Sequence, residues 1–299
     1  MSLKIENVSK SFSGKKVVDN ISIAIEKPEV FGLLGTNGAG KTTTIRMLLG
    51  IIKKDSGSIT WNGKKVDRKK VNFGYLPEER GIYPKTKVID QLLYFAELKG
   101  MKKENAIDSI NKWAKKLMVE EYMNMTADKL SKGNQQKIQF LISVIHNPDL
   151  IVLDEPFSGL DPVNTEILKK AIIDLIKEGK YIIMSAHEMH TIEQFCTDVV
   201  ILNRGKTVLQ GNLKDIKNSY PANRVIIDTK QDITDIITEC HLKIENEHDF
   251  MYSVKINDEE DGYKLMDKVV KKHIQINKFE IMKPTLNDIF IEKVGDTCE

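Results

Sequence analysis

Apolar and polar positions first alternate at Ile21, Ile23 and Ile25, spaced by Ser22 and Ala24, the period of two expected of a half-buried strand. Lys27-Pro28 ends that run, and Val30–Leu34 follows as an unbroken apolar stretch, the mark of a strand covered on both faces. The period then changes. Ile45, Leu48, Leu49 and Ile52 recur at i, i+3, i+4 and i+7, which predicts a helix directly after the glycine-rich segment GTNGAGKT. GSITWNG, residues 57–63, predicts a short strand closed by an Asn-Gly turn. Residues 88–129 are rich in Lys, Glu, Met, Ala and Leu and predict helices. A stripe of Ile138, Leu141, Ile142 and Ile145 extends helix over 135–147. Beyond Pro148 the pattern predicts strand (Leu150–Leu153), helix (Val163–Lys177), strand (Tyr181–Ser185), a further helix and strand (Val199–Leu202). Strands alternating with helices predict an α/β core around a largely parallel sheet.

The tail has a different order. Strand (Arg224–Asp228), helix (Ile233–Glu239), strand (Leu242–Glu245), strand (Phe250–Ile256), helix (Glu259–Lys272) and strand (Ile276–Met282) make β-α-β-β-α-β, a ferredoxin-like α+β signature, with a last short helix over Leu286–Glu292. Charge shifts at the same place. Residues 222–299 hold 11 Lys and Arg against 17 Asp and Glu, net −6, whereas the preceding residues hold 34 against 26, net +8. With 299 residues, this step supports two domains meeting near Pro221.

Composition narrows the class. No apolar run approaches the roughly 18 residues that span a bilayer. The N-terminal MSLKIENVSKSF is charged, so a secretory signal is not expected. Cys196, Cys240 and Cys298 are far apart and in no metal spacing, which speaks against a disulfide framework or a zinc site and for the cytosol. The basic excess is thinly spread with no aromatic interleaving, so nucleic acid is not an expected partner.

Two segments carry chemistry. Gly35–Thr42, GTNGAGKT, fits G-x-x-x-x-G-K-[ST], the P-loop. Gly35, Gly38 and Gly40 let the backbone curl, so that N–H groups of the loop through Thr36, Asn37 and Ala39 to Thr43 turn toward phosphate oxygens. The helix starting near Lys41 adds the positive end of its dipole. Lys41 supplies an ammonium to the β/γ-phosphates and the Thr42 hydroxyl a ligand to Mg²⁺. LIVLDEP, Leu150–Pro156, delivers Asp154 and Glu155 to the end of a buried strand, where ligands of open α/β sheets bind. Asp154 is the candidate Mg²⁺ holder and Glu155 the candidate general base for water. An acidic pair that merely caps a turn is the plainer alternative.

A P-loop and a carboxylate alone would also suit a kinase, a GTPase or a helicase. LSKGNQQK (Leu130–Lys137) lies ahead of Asp154, SGLD (Ser158–Asp161) follows it, and His187 stands in SAHE. With these segments in this order, residues 3–217 resemble the ATP-binding subunits of ABC transporters. The resemblance implies an α/β P-loop NTPase fold of ABC type: a mainly parallel sheet, an antiparallel β subdomain and a helical subdomain at about 85–147. The ABC domain is expected over 1–217 and the accessory domain over 222–299. It implies two such subunits head to tail, as homodimer or heterodimer, with ATP between them. Lys41, Thr42 and Asp154 then hold ATP and Mg²⁺ from one side, and Ser131 and Gly133 of the other copy complete the γ-phosphate cage. Glu155 activates water, His187 reports the γ-phosphate, Asp161 crosses the interface, and Phe12 stacks on adenine; the plainer reading of Phe12 is a core aromatic.

This chain departs from the family pattern twice. Lys132 and Asn134 stand where the common signature LSGGQ has Gly and Gln, and Glu78 stands where the family usually has a Mg²⁺-ligating Gln. A carboxylate ligates Mg²⁺ too, but adds negative charge beside a triphosphate. The tail, ending PTLNDIFIEKVG, together with GYLPEERGIYPK, is similar to exporter ATPases of the sodium-efflux and drug-resistance type. The resemblance therefore implies an ATPase on the cytoplasmic side of the cell membrane, bound to a separate integral membrane permease. The alternatives are a soluble ABC ATPase and an ATP-gated regulator without a transport role.

Overall fold

The alternation of the first segment builds an antiparallel layer. In this computed structural model, which describes residues 1–67, 71–79, 81–186 and 189–295, β1 (Leu3–Phe12) pairs with β2 (Lys15–Ile25), joining Ile5 to Ile23 and Val8 to Ile21. The apolar run becomes β3 (Val30–Gly35), buried along its whole length. The glycine loop leads into α1 (Lys41–Leu48), and β4 (Ser56–Trp61) and β5 (Lys64–Lys65) complete an antiparallel sheet of order β2-β1-β4-β5. Helix α1 stops short of the predicted stripe: Gly50 takes a left-handed backbone (φ 67°) and ends it, leaving Ile52 packed on the core from outside the helix.

Next come β6 (Phe73–Leu76), α2 (Val88–Leu98), α3 (Lys103–Leu117) and α4 (Lys132–Val144). Trp113 meets Phe140 edge-on at 6.0 Å, joining α3 to α4. The chain then alternates through β7 (Leu150–Asp154), α5 (Pro162–Lys177), β8 (Tyr181–Ala186), α6 (Met189–Glu193), β9 (Asp198–Asn203) and β10 (Lys206–Asn212). These strands form a sheet of order β10-β9-β3-β8-β7-β6, parallel from β9 through β6. Its core strands β3, β7 and β8 are buried at every residue, as a doubly covered parallel sheet requires.

The chain divides into two compact units, Met1–Gln210 and Gly211–Glu299. The second contains α7 (Leu213–Asn218), β11 (Arg224–Thr229), α8 (Thr234–Glu239), β12 (Lys243–His248), β13 (Met251–Lys255), α9 (Glu259–Lys271), β14 (Ile276–Met282) and α10 (Leu286–Gly295). Its antiparallel sheet has the order β12-β13-β11-β14, which is the split β-α-β ferredoxin-like arrangement. Val225, Ile227, Tyr252 and Val254 meet Leu265 and Val269 of α9 in a core of its own. The sequence pattern did not reveal β10 or α7. Strand β10 is nowhere fully buried, so its residues carry no clean alternation.

At the amino ends of the central strands, Glu29 is only 5% exposed and its Oε2 has no hydrogen-bond partner. Burial pushes its carboxyl up from 4.5 to about 7; the neighbouring Asp198 carboxyl adds to that, and Lys27 opposes it. The protonated form is therefore the one the fold favours. The stability it contributes is complete below pH 4.5 and is lost as pH rises through about 7. Glu29→Gln should flatten the pH dependence of the melting temperature over this window and raise it at pH 8. Parallel melting curves of variant and parent against pH would contradict the assignment.

Candidate functional site

The parallel register brings the carboxyl ends of four strands to one level. Leu34 pairs with Ala186, Asp154 with Ser185, and Leu76 with Leu153. The segments that leave these ends include the glycine loop after β3, Pro77-Glu78 after β6 and Glu155 after β7. A cleft of about 310 Å³ opens there, lined by Val17, the loop from Thr36 to Thr43, Glu78 and Glu155.

The glycines at 35 and 40 are steric necessities. Gly35 has φ 150° and a Cβ on it would lie 2.4 Å from the Leu202 carbonyl oxygen. Gly40, at φ 101°, would place a Cβ 2.8 Å from the Val17 carbonyl oxygen. It also starts α1 without a side-chain cap, so the first N–H groups of the helix face the cleft. Lys41 is 7% exposed. Its ammonium donates to the Gly35 carbonyl at 2.7 Å and lies 3.8 Å from Glu155 Oε1. A cradle of backbone donors around a buried cation, with no side chain at Gly38 to fill it, suits a polyphosphate.

Asp154 is 1% exposed. Its Oδ1 accepts from the Ser185 hydroxyl at 2.5 Å, while its buried Oδ2 makes no hydrogen bond. Burial pushes this carboxyl up; the Ser185 hydroxyl holds it down, the charges of Glu78 and Glu155 raise it further, and Thr42 lowers it. An orphaned carboxylate oxygen beside a threonine hydroxyl and a second carboxylate is a donor set that fits Mg²⁺, whose remaining ligands are waters and phosphate oxygens. Among the described residues no three His, Cys, Asp or Glu form a metal cage by themselves.

Glu155 turns the chain through a left-handed backbone, φ 53°, which costs a non-glycine residue about 1 kcal/mol. Its N–H donates to Ser185 Oγ at 3.0 Å, so one hydroxyl positions both carboxylates. Glu155 also lines a second cleft of about 380 Å³ with Ser158, Gly159, Leu160 and His190. Ser185 was not singled out in the sequence: it closes an apolar run and fits no motif. Its signal is its register opposite Asp154.

A second cluster forms elsewhere. Ser131 caps α4 by accepting from Asn134 N–H at 3.2 Å, and Asp161 caps α5 by accepting from Asn164 N–H at 2.9 Å. The two caps adjoin, because a Cβ on Gly133 would lie 2.7 Å from Asn164 Nδ2. Ser131, Gly133 and Asp161 are absent from the lining of the glycine-loop cleft, so one chain does not bring them to Lys41. Phe12 is 43% exposed at the end of β1 with the Lys10 ammonium 5.3 Å from its ring, and so is not a core aromatic. His187 lies outside the described residues.

Two substitutions should move the Asp154 carboxyl in opposite directions. Ser185→Ala removes the donor that holds its pKa down, at a cost of about 1–3 kcal/mol in stability. Glu78→Gln removes a like charge. The acid limb of ATP turnover should shift to higher pH in the first and to lower pH in the second, with a reduced Mg²⁺ requirement in Glu78→Gln. A Mg²⁺ titration at two pH values checks this, and identical profiles in both variants would count against Asp154 as a Mg²⁺ ligand.

Comparison with known proteins agrees with this geometry. The profile of the ABC transporter family matches residues 18–158, and that of the DrrA1-3-like ATP-binding protein C-terminal domain matches residues 211–294. The uncharacterized ABC transporter ATP-binding protein YhaQ of Bacillus subtilis is 45% identical over 99% of this chain and 100% of its own length. The linearmycin resistance ATP-binding protein LnrL of the same organism is 28% identical over 99% of both chains. A solved structure described as the ATP-binding subunit of an ABC transporter superposes with a TM-score of 0.68 at 27% identity, covering 73% of this chain and 93% of its own. With its glycine-loop cleft, its paired carboxylates and full-length similarity to YhaQ, the chain belongs to the ATP-binding subunits of ABC transporters.

Proposed function

We propose that this subunit hydrolyses ATP between two copies of an ABC ATP-binding domain and drives export through a separate membrane permease. The observation that carries the reading is the separation of two half-sites on one chain. Lys41, Thr42, Asp154 and Glu155 converge at the strand ends, whereas Ser131, Gly133 and Asp161 cluster at two helix starts. A second copy, turned head to tail, is what the first cluster needs to be enclosed.

In this reading the loop from Gly35 to Thr43 donates backbone N–H groups to the triphosphate, and Lys41 exchanges its carbonyl partners for phosphate oxygens. Thr42, Asp154 and Glu78 would hold Mg²⁺, which neutralises charge on the β- and γ-phosphates when bound. Glu155 takes a proton from water as the water oxygen bonds to the γ-phosphorus and the bond to the bridging oxygen of ADP breaks. Ser131 and the Gly133 backbone of the second copy bind the γ-phosphate through a helix N-terminus. Phe12 offers its exposed ring to adenine, and His187 and Asp161 take the roles that the family resemblance gives them.

The export direction is supported by the tail and by similarity to a resistance protein along the whole chain. Attachment to the cytoplasmic side of the membrane belongs to the same proposal; among the described residues no helix is long and apolar enough to cross a membrane. A soluble ABC ATPase or an ATP-gated regulator lacks a comparable observation in its favour.

Glu155→Gln keeps the shape of the base and removes its proton affinity, a change that typically costs 10²–10⁴-fold in rate. The variant should bind ATP, turn over very slowly and accumulate as a closed dimer in gel filtration with ATP and Mg²⁺. Adding Ser131→Arg should abolish that dimer. Wild-type turnover by Glu155→Gln would show that Glu155 is not the base.

A further inference from the structure

Helix α9 carries two apolar stripes, and the fold uses one of them. Leu265 and Val269 are fully buried against the sheet. Tyr263, Met266 and Val270 are 58%, 38% and 52% exposed. At about 100° per residue these three fall within about 60° of one another, so they form a second, continuous stripe along the helix. Lys268 and Lys272 mark the side of α9 that faces α8, because their ammonium groups reach Glu239 at 3.8 and 3.0 Å. The exposed stripe lies on the opposite side of the helix. That side borders β14, the outermost strand of its sheet, on which α9 packs through Gly262 against Ile281.

The charges beside the stripe select its partner. Glu260, Lys264, Asp267 and Lys271 run along one flank with alternating sign. Within the chain they pair as Lys264–Glu260 at 3.3 Å and Lys271–Asp267 at 2.6 Å, both exposed and therefore weak. In a parallel pair about a twofold axis this flank of one copy lies on the opposite side of the seam from the same flank of the other, so its charges find no partners there. An antiparallel one reverses the order. Glu260 then faces Lys271 of the second copy and Lys264 faces Asp267, and both relations recur on the other side of a twofold axis. That axis passes beside Met266, where Tyr263 of one copy also meets Val270 of the other. One register therefore satisfies the apolar and the charged positions together, as an isologous interface demands.

We infer that α9 is a self-docking surface, through which the C-terminal units of two copies pair antiparallel about an axis at Met266, without nucleotide. A stripe of three side chains falls below the roughly 1,000 Å² of a stable free interface. The pairing is thus weak between free chains and effective where two copies are already held close, as an effective-concentration effect. It is separate from the ATP-filled interface, since it uses none of Lys41, Ser131 or Gly133.

Cross-linking of the full-length chain without nucleotide tests this. In a background with Cys240→Ser and Cys298→Ser, Met266→Cys should give an oxidised dimer, whereas Lys243→Cys, on the far edge strand β12, should not. Adding Glu260→Lys turns two attractive pairs repulsive and should weaken pairing roughly tenfold, read as lost dimer at a given protein concentration. Combining Glu260→Lys with Lys271→Glu restores the pairs and should restore the cross-link. Ser131→Arg should leave it unchanged, which separates this interface from the ATP-dependent one. A Met266→Cys cross-link no stronger than the Lys243→Cys control, insensitivity to the single charge reversal, or failure of the double reversal to rescue would each overturn the proposal.

Discussion

A carboxylate buried at the end of a fully covered strand is costly unless it is hydrogen-bonded or paired, and the arrangement around Asp154 follows from that cost. Oδ1 is satisfied by Ser185, Oδ2 is not, and two further carboxylates push the group toward its neutral form. A divalent cation bound here, as proposed, would relieve this charge concentration. The register of β7 on β8 enforces the geometry, because Asp154 and Ser185 are direct partners in the sheet. The same serine accepts from the Glu155 N–H and fixes the left-handed turn that carries the second carboxylate over Lys41.

Much of this architecture is legible in the sequence, for physical reasons that differ by element. Strand β7 shows as four apolar residues because a parallel strand is buried on both faces. The loop shows as glycines because a Cβ at Gly35 or Gly40 would strike backbone atoms that have nowhere to go. The tail order shows because its strands alternate about one buried face, Val225 and Ile227 inward and Arg224 and Ile226 only partly covered. Other features depend on tertiary contacts that leave no local pattern. Ser185 matters only through Asp154 and the Glu155 N–H, thirty-one and thirty residues away. The high carboxyl of Glu29 comes first from its burial and then from Asp198, brought beside it by the β3–β9 pairing. Helix α1 is shorter than its apolar stripe because Gly50 ends it while Ile52 still packs inward.

The departures from the family pattern fall where the structure tolerates them. Lys132 and Asn134 lie in the first turn of α4, where Ser131 still caps the helix through the Asn134 backbone N–H. A side chain at Gly133 would have to displace the Asn164 amide, whose Nδ2 would lie 2.7 Å from the new Cβ. Glu78 sits on the rim of the cleft, and its charge acts on Asp154. In the proposed metal site it would act through charge, by raising the Asp154 carboxyl.

The central claim is that each chain carries two halves of a site that only two chains can close. Mixing two inactive variants tests it most directly. Lys41→Ala disables one half and Ser131→Arg the other, and in a mixed dimer both lesions meet in a single composite site. The other site is then assembled from the intact cleft of one chain and the intact helix start of its partner. Mixing the purified variants should restore ATP turnover that neither shows alone. Turnover that stays at the level of the separate variants, in mixtures where gel filtration shows mixed dimers, would contradict a shared site.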